Sequence, residues 1–290
     1  MYAHVNGVDL FFDVEGAGYV PDGTTYRAKP VMFVLHGGPG CDHTYFRPWL
    51  HPLAEHVQLV FLDHRGNGRS SRTDESTYTI EQMADDVEAL RQYLGLGRIL
   101  VLGQSFGGMV AQVYATRYPA SVSKLVLANT TPSMRFWDEA QEAADAMATP
   151  EQLAAIPRLF HGEITSQRDF DEWWEVCLPL YFHTKDDTAI EQVEARMTGA
   201  YEVANHMMAN VIPKYDVRPL LPDVTVPTLV LAGRYDWVTP LTQSQLIDEL
   251  VPDSTLAVFD ESGHMPHIEE NAKFLATVTE FVTGTPRSPK

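Results

Sequence analysis

Residues 101–108 read Val-Leu-Gly-Gln-Ser-Phe-Gly-Gly, and the run before and into them, 98–102, is Arg-Ile-Leu-Val-Leu. A hydrophobic strand therefore passes into Gly-x-Ser-x-Gly and on into a helix predicted over 106–118, which ends before Pro119. The five-residue string alone is common; the strand before it and the helix after it supply the meaning. That order can hold a serine hydroxyl clear of the backbone on a strained turn. Small residues at Gly103 and Gly107 let strand and helix approach closely around it. Ser105 is the candidate nucleophile.

A serine hydroxyl is a poor nucleophile at neutral pH, so it needs a base, a group to orient that base, and donors for the oxyanion. Strand 226–232 runs into Gly233-Arg234-Tyr235-Asp236, which places a carboxylate just past a strand end. Strand 255–259 leads to Ser262-Gly263-His264, which places an imidazole in the next loop. His264 would take the hydroxyl proton and return it to the leaving group, while Asp236 fixes the tautomer. Strand 31–35 ends in His36-Gly37-Gly38-Pro39-Gly40. Pro39 has no N–H, so the oxyanion donors are read as the N–H groups of Gly38 and Phe106. His36, at a strand end, is read as a loop organiser and not as a second base.

With those residues in view, the chain resembles an α/β-hydrolase of the proline iminopeptidase-like group. The resemblance rests on His-Gly-Gly-Pro-Gly at 36–40, Asp-His-Arg-Gly-Asn-Gly-Arg-Ser at 63–70, Gly-Gln-Ser-Phe-Gly-Gly at 103–108, Gly-Arg-Tyr-Asp at 233–236 and Ser-Gly-His at 262–264. The order Ser105, Asp236, His264 matches that fold and neither chymotrypsin-like nor subtilisin-like enzymes. It implies a mostly parallel central sheet flanked by helices with an inserted helical cap. The catalytic core is expected over 1–130 and 221–290, and the cap over 131–220. In the resembled group the 63–70 loop is structural, which its turn residues also favour. The scaffold serves aminopeptidases, esterases, lactonases, thioesterases and carbon–carbon hydrolases, so substrate must be argued from the site.

Iminopeptidases bind a charged N-terminal amine, which relatives do with glutamates near the serine, in some cases one directly after the triad aspartate. Here Trp237 follows Asp236, and Asn205 stands at a second loosely aligned position, with Glu202 close by. An ammonium without a carboxylate partner loses its hydration at high cost. The reading is therefore an ester or lactone hydrolase, with prolyl aminopeptidase as the alternative and a non-enzymatic ligand receptor as a third. The substrate is a small ester, lactone or short peptide. The cap segment is acidic, with fourteen acids to five bases over 134–200, and is broken by Pro150, Pro157, Pro179 and Pro213. Its Phe160, Trp173, Trp174, Tyr181, Phe182, Met207 and Met208 supply both cap packing and a pocket wall. Trp237, Trp174, Tyr181, Asn205 and Met208 are the candidate substrate contacts.

No cofactor is expected: the chemistry needs only water, no Gly-x-Gly-x-x-Gly opens the first βα unit, and no His-Glu-x-x-His offers metal ligands. A net charge of −18 argues against nucleic acid or anionic membranes as partners. Two cysteines, Cys41 and Cys177, make no disulfide framework and are read as free thiols. No signal peptide or membrane span is apparent at the start, so a cytoplasmic location is expected; oligomeric state stays open. Around the site, 4–14 reads as an antiparallel hairpin and 80–94 as a helix with Ile80, Met83, Ala84, Val87, Leu90 and Leu94 on one side. Thr79 and Gln82 are expected to form its capping box. A last helix is read over 268–282 and a frayed tail over 284–290.

Overall fold

Continuous apolar runs become strands when both faces of a sheet are covered by helices. The computed structural model describes residues 1–284, so the expected frayed tail lies, from residue 285 onward, outside the described residues. Among the described residues ten strands are formed: β1 (Tyr2–Val5), β2 (Val8–Glu15), β3 (Tyr19–Asp22), β4 (Thr25–Ala28), β5 (Val31–Leu35), β6 (Gln58–Leu62), β7 (Ile99–Gln104), β8 (Val122–Ala128), β9 (Thr228–Gly233) and β10 (Ser254–Phe259). Every residue of β7 and β9 is buried, as is all of β5 and β6 beyond the first residue. The eight-stranded sheet has the order β1-β2-β6-β5-β7-β8-β9-β10. Pairing is parallel from β6 through β10 and antiparallel for β1 with β2 and β2 with β6. The β1–β2 turn, Asn6-Gly7, has φ values of 48° and 74°, the left-handed pair that a two-residue hairpin turn demands.

β5 has β6 on one side and β7 on the other. Loops leaving β5 and β7 therefore diverge, opening a crevice at the strands' carboxyl ends. The register pairs Leu35 with Gly103, which brings loop 36–40 beside Ser105. Helices α1 (Ile80–Tyr93) and α2 (Phe106–Arg117) pack against each other, and α2 lies on β7 and β8. Between β8 and β9 the chain leaves the sheet and forms α3 (Trp137–Met147), α4 (Pro150–Phe160), α5 (Gln167–Cys177), α6 (Asp187–Glu194) and α7 (Tyr201–His206). α8 (Leu241–Leu250) follows β9, and α9 (Pro266–Glu269) and α10 (Asn271–Thr283) follow β10.

Two local expectations are corrected, and one hairpin was not anticipated. The Thr79 hydroxyl accepts the Gln82 N–H at 3.1 Å, but the Gln82 amide donates to Asp86 instead of returning to Thr79, whose N–H goes to the Thr77 carbonyl. The capping box there is half formed; a complete one stands at Thr149 and Gln152 before α4. The last helix is interrupted at Glu270, with φ −117° and ψ 48°, where its carboxylate accepts the Ser262 hydroxyl and the Glu261 N–H. The β3–β4 hairpin was not expected; its Asp22-Gly23 turn was the available signal.

Among the described residues no helix is long and apolar enough to cross a membrane. Cys41 and Cys177 are buried and free, and burial pushes the Cys177 thiol up to about 12.

Candidate active site

Ser105 sits between β7 and α2 with φ 55° and ψ −122°, a left-handed φ that costs a non-glycine residue on the order of 1–3 kcal/mol. Its neighbours hold it there. Its N–H donates to the Ala128 carbonyl at 2.9 Å, and its carbonyl accepts the Thr130 hydroxyl at 2.7 Å and the Gly108 N–H at 2.9 Å. The glycines play the predicted part. A Cβ on Gly103 would lie 2.3 Å from the Gly107 carbonyl oxygen, and one on Gly107 would lie 2.1 Å from that of Leu35.

Past the end of β9, Asp236 is buried at 4% exposure and saturated with donors. Oδ1 accepts the N–H groups of Val238 (2.9 Å) and Thr239 (3.0 Å). Oδ2 accepts the Thr239 hydroxyl and the Asn129 amide, each at 2.8 Å. His264 Nδ1 lies 2.8 Å from the same Oδ2. A carboxylate can only accept, so Nδ1 carries the proton and Nε2 is left as the basic nitrogen. Burial alone would push the Asp236 carboxyl up. The adjacent His264 and the donated hydrogen bonds outweigh it and hold that carboxyl below the usual carboxylate range. His264 is fixed from the cap side as well: its N–H donates to the Tyr181 carbonyl at 2.7 Å, and the Tyr181 ring meets the imidazole edge-on at 5.3 Å. Ser105 and His264 border one cavity.

The loop after β5 is wired to both. The Gly37 N–H donates to the Tyr45 hydroxyl at 2.7 Å, which donates to Gln104 Oε1 at 2.6 Å. Gln104 Nε2 in turn donates to the His264 carbonyl at 3.2 Å. Sequence reading missed Tyr45 and Gln104, although Gln104 directly precedes Ser105. His36 organises its loop: Nε2 accepts the His64 N–H at 3.1 Å, so Nδ1 donates to the Gly37 carbonyl at 2.7 Å. Burial lowers its pKa, in keeping with that neutral tautomer. Gly38, at φ 116°, borders the cavity. Phe106 opens α2, where an N–H has no carbonyl four residues back within the helix.

A family model described as alpha/beta hydrolase fold matches residues 30–271. The chain belongs to the α/β-hydrolase family. Within it the proline iminopeptidase-like resemblance holds: a proline iminopeptidase from Lactiplantibacillus plantarum is 31% identical over 274 residues, covering 88% of this chain and 93% of the relative. Another, from Saccharolobus solfataricus, is 28% identical, covering 97% of this chain and 91% of the relative. Among solved structures, the enol-lactonase from Burkholderia xenovorans matches with a TM-score of 0.77 at 23% identity, over 98% of this chain and 100% of that one. An esterase from Exiguobacterium antarcticum matches with a TM-score of 0.72 at 24% identity, over 97% of each chain. The structural likenesses show the shared fold.

In this hydrolase the cavity above Ser105 holds about 760 Å³ of space free of protein atoms, its open mouth included. Of the predicted substrate contacts, Trp174, Tyr181 and Met208 border it, as does the cap residue Phe160. Trp237 and Asn205 are placed elsewhere. Trp237 is buried behind the wall, edge-on to Tyr181 at 5.8 Å and to Phe160 at 6.5 Å. The Asn205 side-chain amide is engaged with both the N–H and the carbonyl of Ile164. Glu202 is exposed and does not border the cavity. Wall residues that sequence reading missed include Met134, Phe136, Leu159, Met197 and Met265; scattered single apolar residues carry no motif. No Asp, Glu, Lys or Arg is among the described residues that border the cavity. Among the described residues, no group of three or more His, Cys, Asp or Glu could hold a metal ion.

The 63–70 loop of the hydrolase is held by buried charge. Asp63 accepts the His43 N–H at 3.1 Å and the Arg69 N–H at 2.9 Å, and lies 2.6 Å from His43 Nδ1. Burial works to raise its carboxyl, yet the His43 contacts and the Arg69 N–H bring it down to about 2. Arg65 meets Asp86 through two bonds of 2.6 Å, both side chains buried. Asn67 accepts the Gly40 N–H at 2.8 Å. These contacts tie the loop to loop 36–40 and to α1.

Proposed function

We propose that this chain is a serine hydrolase that cleaves carboxylic esters or lactones with an uncharged, apolar acyl group. Ser105 Oγ attacks the carbonyl carbon while His264 Nε2 takes the hydroxyl proton, and Asp236 stabilises the imidazolium so formed. The N–H groups of Gly38 and Phe106 receive the oxyanion. Collapse breaks the bond to the leaving oxygen, which takes the proton from His264 and departs as the alcohol, leaving an acyl-serine. In a lactone that alcohol stays attached to the acyl group. Water then attacks, His264 accepts its proton, and the second collapse returns that proton to Ser105 and releases the acid.

The observation that carries the substrate reading is the cavity wall, bordered by apolar and neutral polar side chains and by no carboxylate among the described residues. An apolar acyl chain gains by leaving water there, whereas an ammonium would be stripped of hydration without a partner. The relatives favour a second reading, release of an N-terminal proline, since proteins named proline iminopeptidases match nearly the whole chain at 28–31% identity. The two part in a substrate panel of p-nitrophenyl esters, γ-lactones and proline arylamides. The ester or lactone is expected to give the higher kcat/KM, about 10-fold or more above the proline arylamide. Turnover confined to the arylamide would replace this proposal with the peptidase.

A further inference from the structure

The three triad members come from three distant segments, and a fourth segment, Ala128-Asn129-Thr130 at the end of β8, touches all of them. The Ala128 carbonyl takes the Ser105 N–H at 2.9 Å, and the Thr130 hydroxyl donates to the Ser105 carbonyl at 2.7 Å. Between them, Asn129 Nδ2 donates to Asp236 Oδ2 at 2.8 Å and to the carbonyl of Gly263, the residue before His264, at 3.1 Å. Both partners are acceptors, so the NH₂ end of the amide must face them. Asn129 is fully buried and sits at φ 45°, a left-handed conformation that asparagine tolerates better than most residues. It does not border the cavity, so it has no evident part in substrate binding.

Resting on the triad reading above, we propose that Asn129 is a positioning residue: its amide locks the Asp236 carboxylate to the histidine loop and sets how strongly Asp236 draws on His264. The same carboxylate oxygen serves the Asn129 amide and the His264 Nδ1 proton. Without the amide the carboxylate swings more freely, and less of its charge is met by fixed donors. The imidazole is then held less well for proton transfer, while the cavity is unchanged. The other titratable side chains near the pair are Tyr181, edge-on to the His264 ring, buried His267, and Glu269, whose carboxylate accepts the Gly263 N–H at 2.8 Å and is raised by burial to about 7. Glu269 is common to parent and variants, so the comparison with the parent accounts for it.

The test uses Asn129→Gly, which keeps the left-handed backbone and removes the amide, and Asn129→Asp, which keeps the shape. Rates are read with p-nitrophenyl butyrate and as labelling of Ser105 by a fluorophosphonate, alongside thermal melts. Asn129→Gly is expected to lower kcat and the labelling rate by about 10- to 100-fold with KM within about 2-fold of the parent. In Asn129→Asp two carboxyls share one site, so one keeps its proton to higher pH and can donate to the other. Its activity relative to the parent is therefore expected to rise as pH falls from 8 to 6, a trend that a merely structural role would not produce. Parent-like kcat in Asn129→Gly, or a flat ratio against pH in Asn129→Asp, would overturn the assignment, and the second readout stands if the glycine variant folds poorly. Ser105→Ala serves as the control. If it still labels, the triad reading itself fails; if it does not label while both Asn129 variants behave as the parent, only this inference fails.

Discussion

The loops at the strand ends and the cap above them form the two sides of one site, and they are built in opposite ways. On the strand side, buried polar groups are paired through short bonds: Asp236 through five bonds with four residues, Tyr45 with Gln104, Arg65 with Asp86. On the cap side, Phe160, Trp174, Tyr181 and Met208 present mostly apolar surface. A hydrogen bond fixes distance and direction, whereas apolar contact fixes little beyond shape and volume. On the function proposed above, reaction chemistry would belong to the strand side and substrate choice to the cap, and changes on the two sides should fail differently.

The largest effect expected is from Ser105→Ala on the strand side. kcat/KM should fall by about 10⁴-fold or more and fluorophosphonate labelling should vanish, with a thermal melt close to the parent's. Persistent activity would move the chemistry away from the strand ends. Next is Asp86→Ala, which leaves the buried Arg65 guanidinium unpaired. Urea denaturation should show a loss of about 3–5 kcal/mol; a loss under 1 kcal/mol would mean that this side is not organised by its buried charge.

Acid should act on the same region. The Asp63 carboxyl is lowered to about 2 from an ordinary 3.8, so its ionised form is favoured by folding. That contribution is fully present above pH 3.8 and is lost as pH falls through about 2. The stability gap between parent and Asp63→Asn, measured in urea at pH 5 and pH 2, should narrow by about 2 kcal/mol. A gap independent of pH would sink this account.

On the cap side the effects should be smaller and selective. Tyr181→Ala and Trp174→Ala should change kcat/KM for p-nitrophenyl hexanoate by about 10-fold relative to the acetate, since the longer chain reaches the wall. Equal changes for both esters would show the cap acting on chemistry as well, which the Tyr181 carbonyl's bond to the His264 N–H makes a real contest. The smallest effect is that of Glu202→Gln. Exposed and away from the cavity, it should alter ester and proline arylamide turnover by less than about 2-fold. A large loss confined to the arylamide would make Glu202 the partner of a substrate amine and restore the peptidase reading.

The fold was readable because its signals are local. Unbroken apolar runs marked the parallel strands, Asn6-Gly7 marked the hairpin, and Gly103 and Gly107 marked the close strand–helix approach at Ser105. Asp236 and His264 were legible as strand-end residues in the right order, and the structure joins them at 2.8 Å. The chain's own residues also announced a helical insertion between β8 and β9. What they could not announce was which cap side chains face the serine, because helical periodicity tells inside from outside but not which of two insides. Trp237, beside Asp236 in sequence, is packed behind the wall, while Met134 and Met265, with no motif at all, border the cavity. Tyr45, Gln104 and Asn129 were invisible for a related reason: their roles exist only where register brings segments far apart in the chain within hydrogen-bonding distance. Local chemistry along the chain determined the turn, the strands and the reactive groups; only the folded sheet decided which amides and hydroxyls hold those groups to one another.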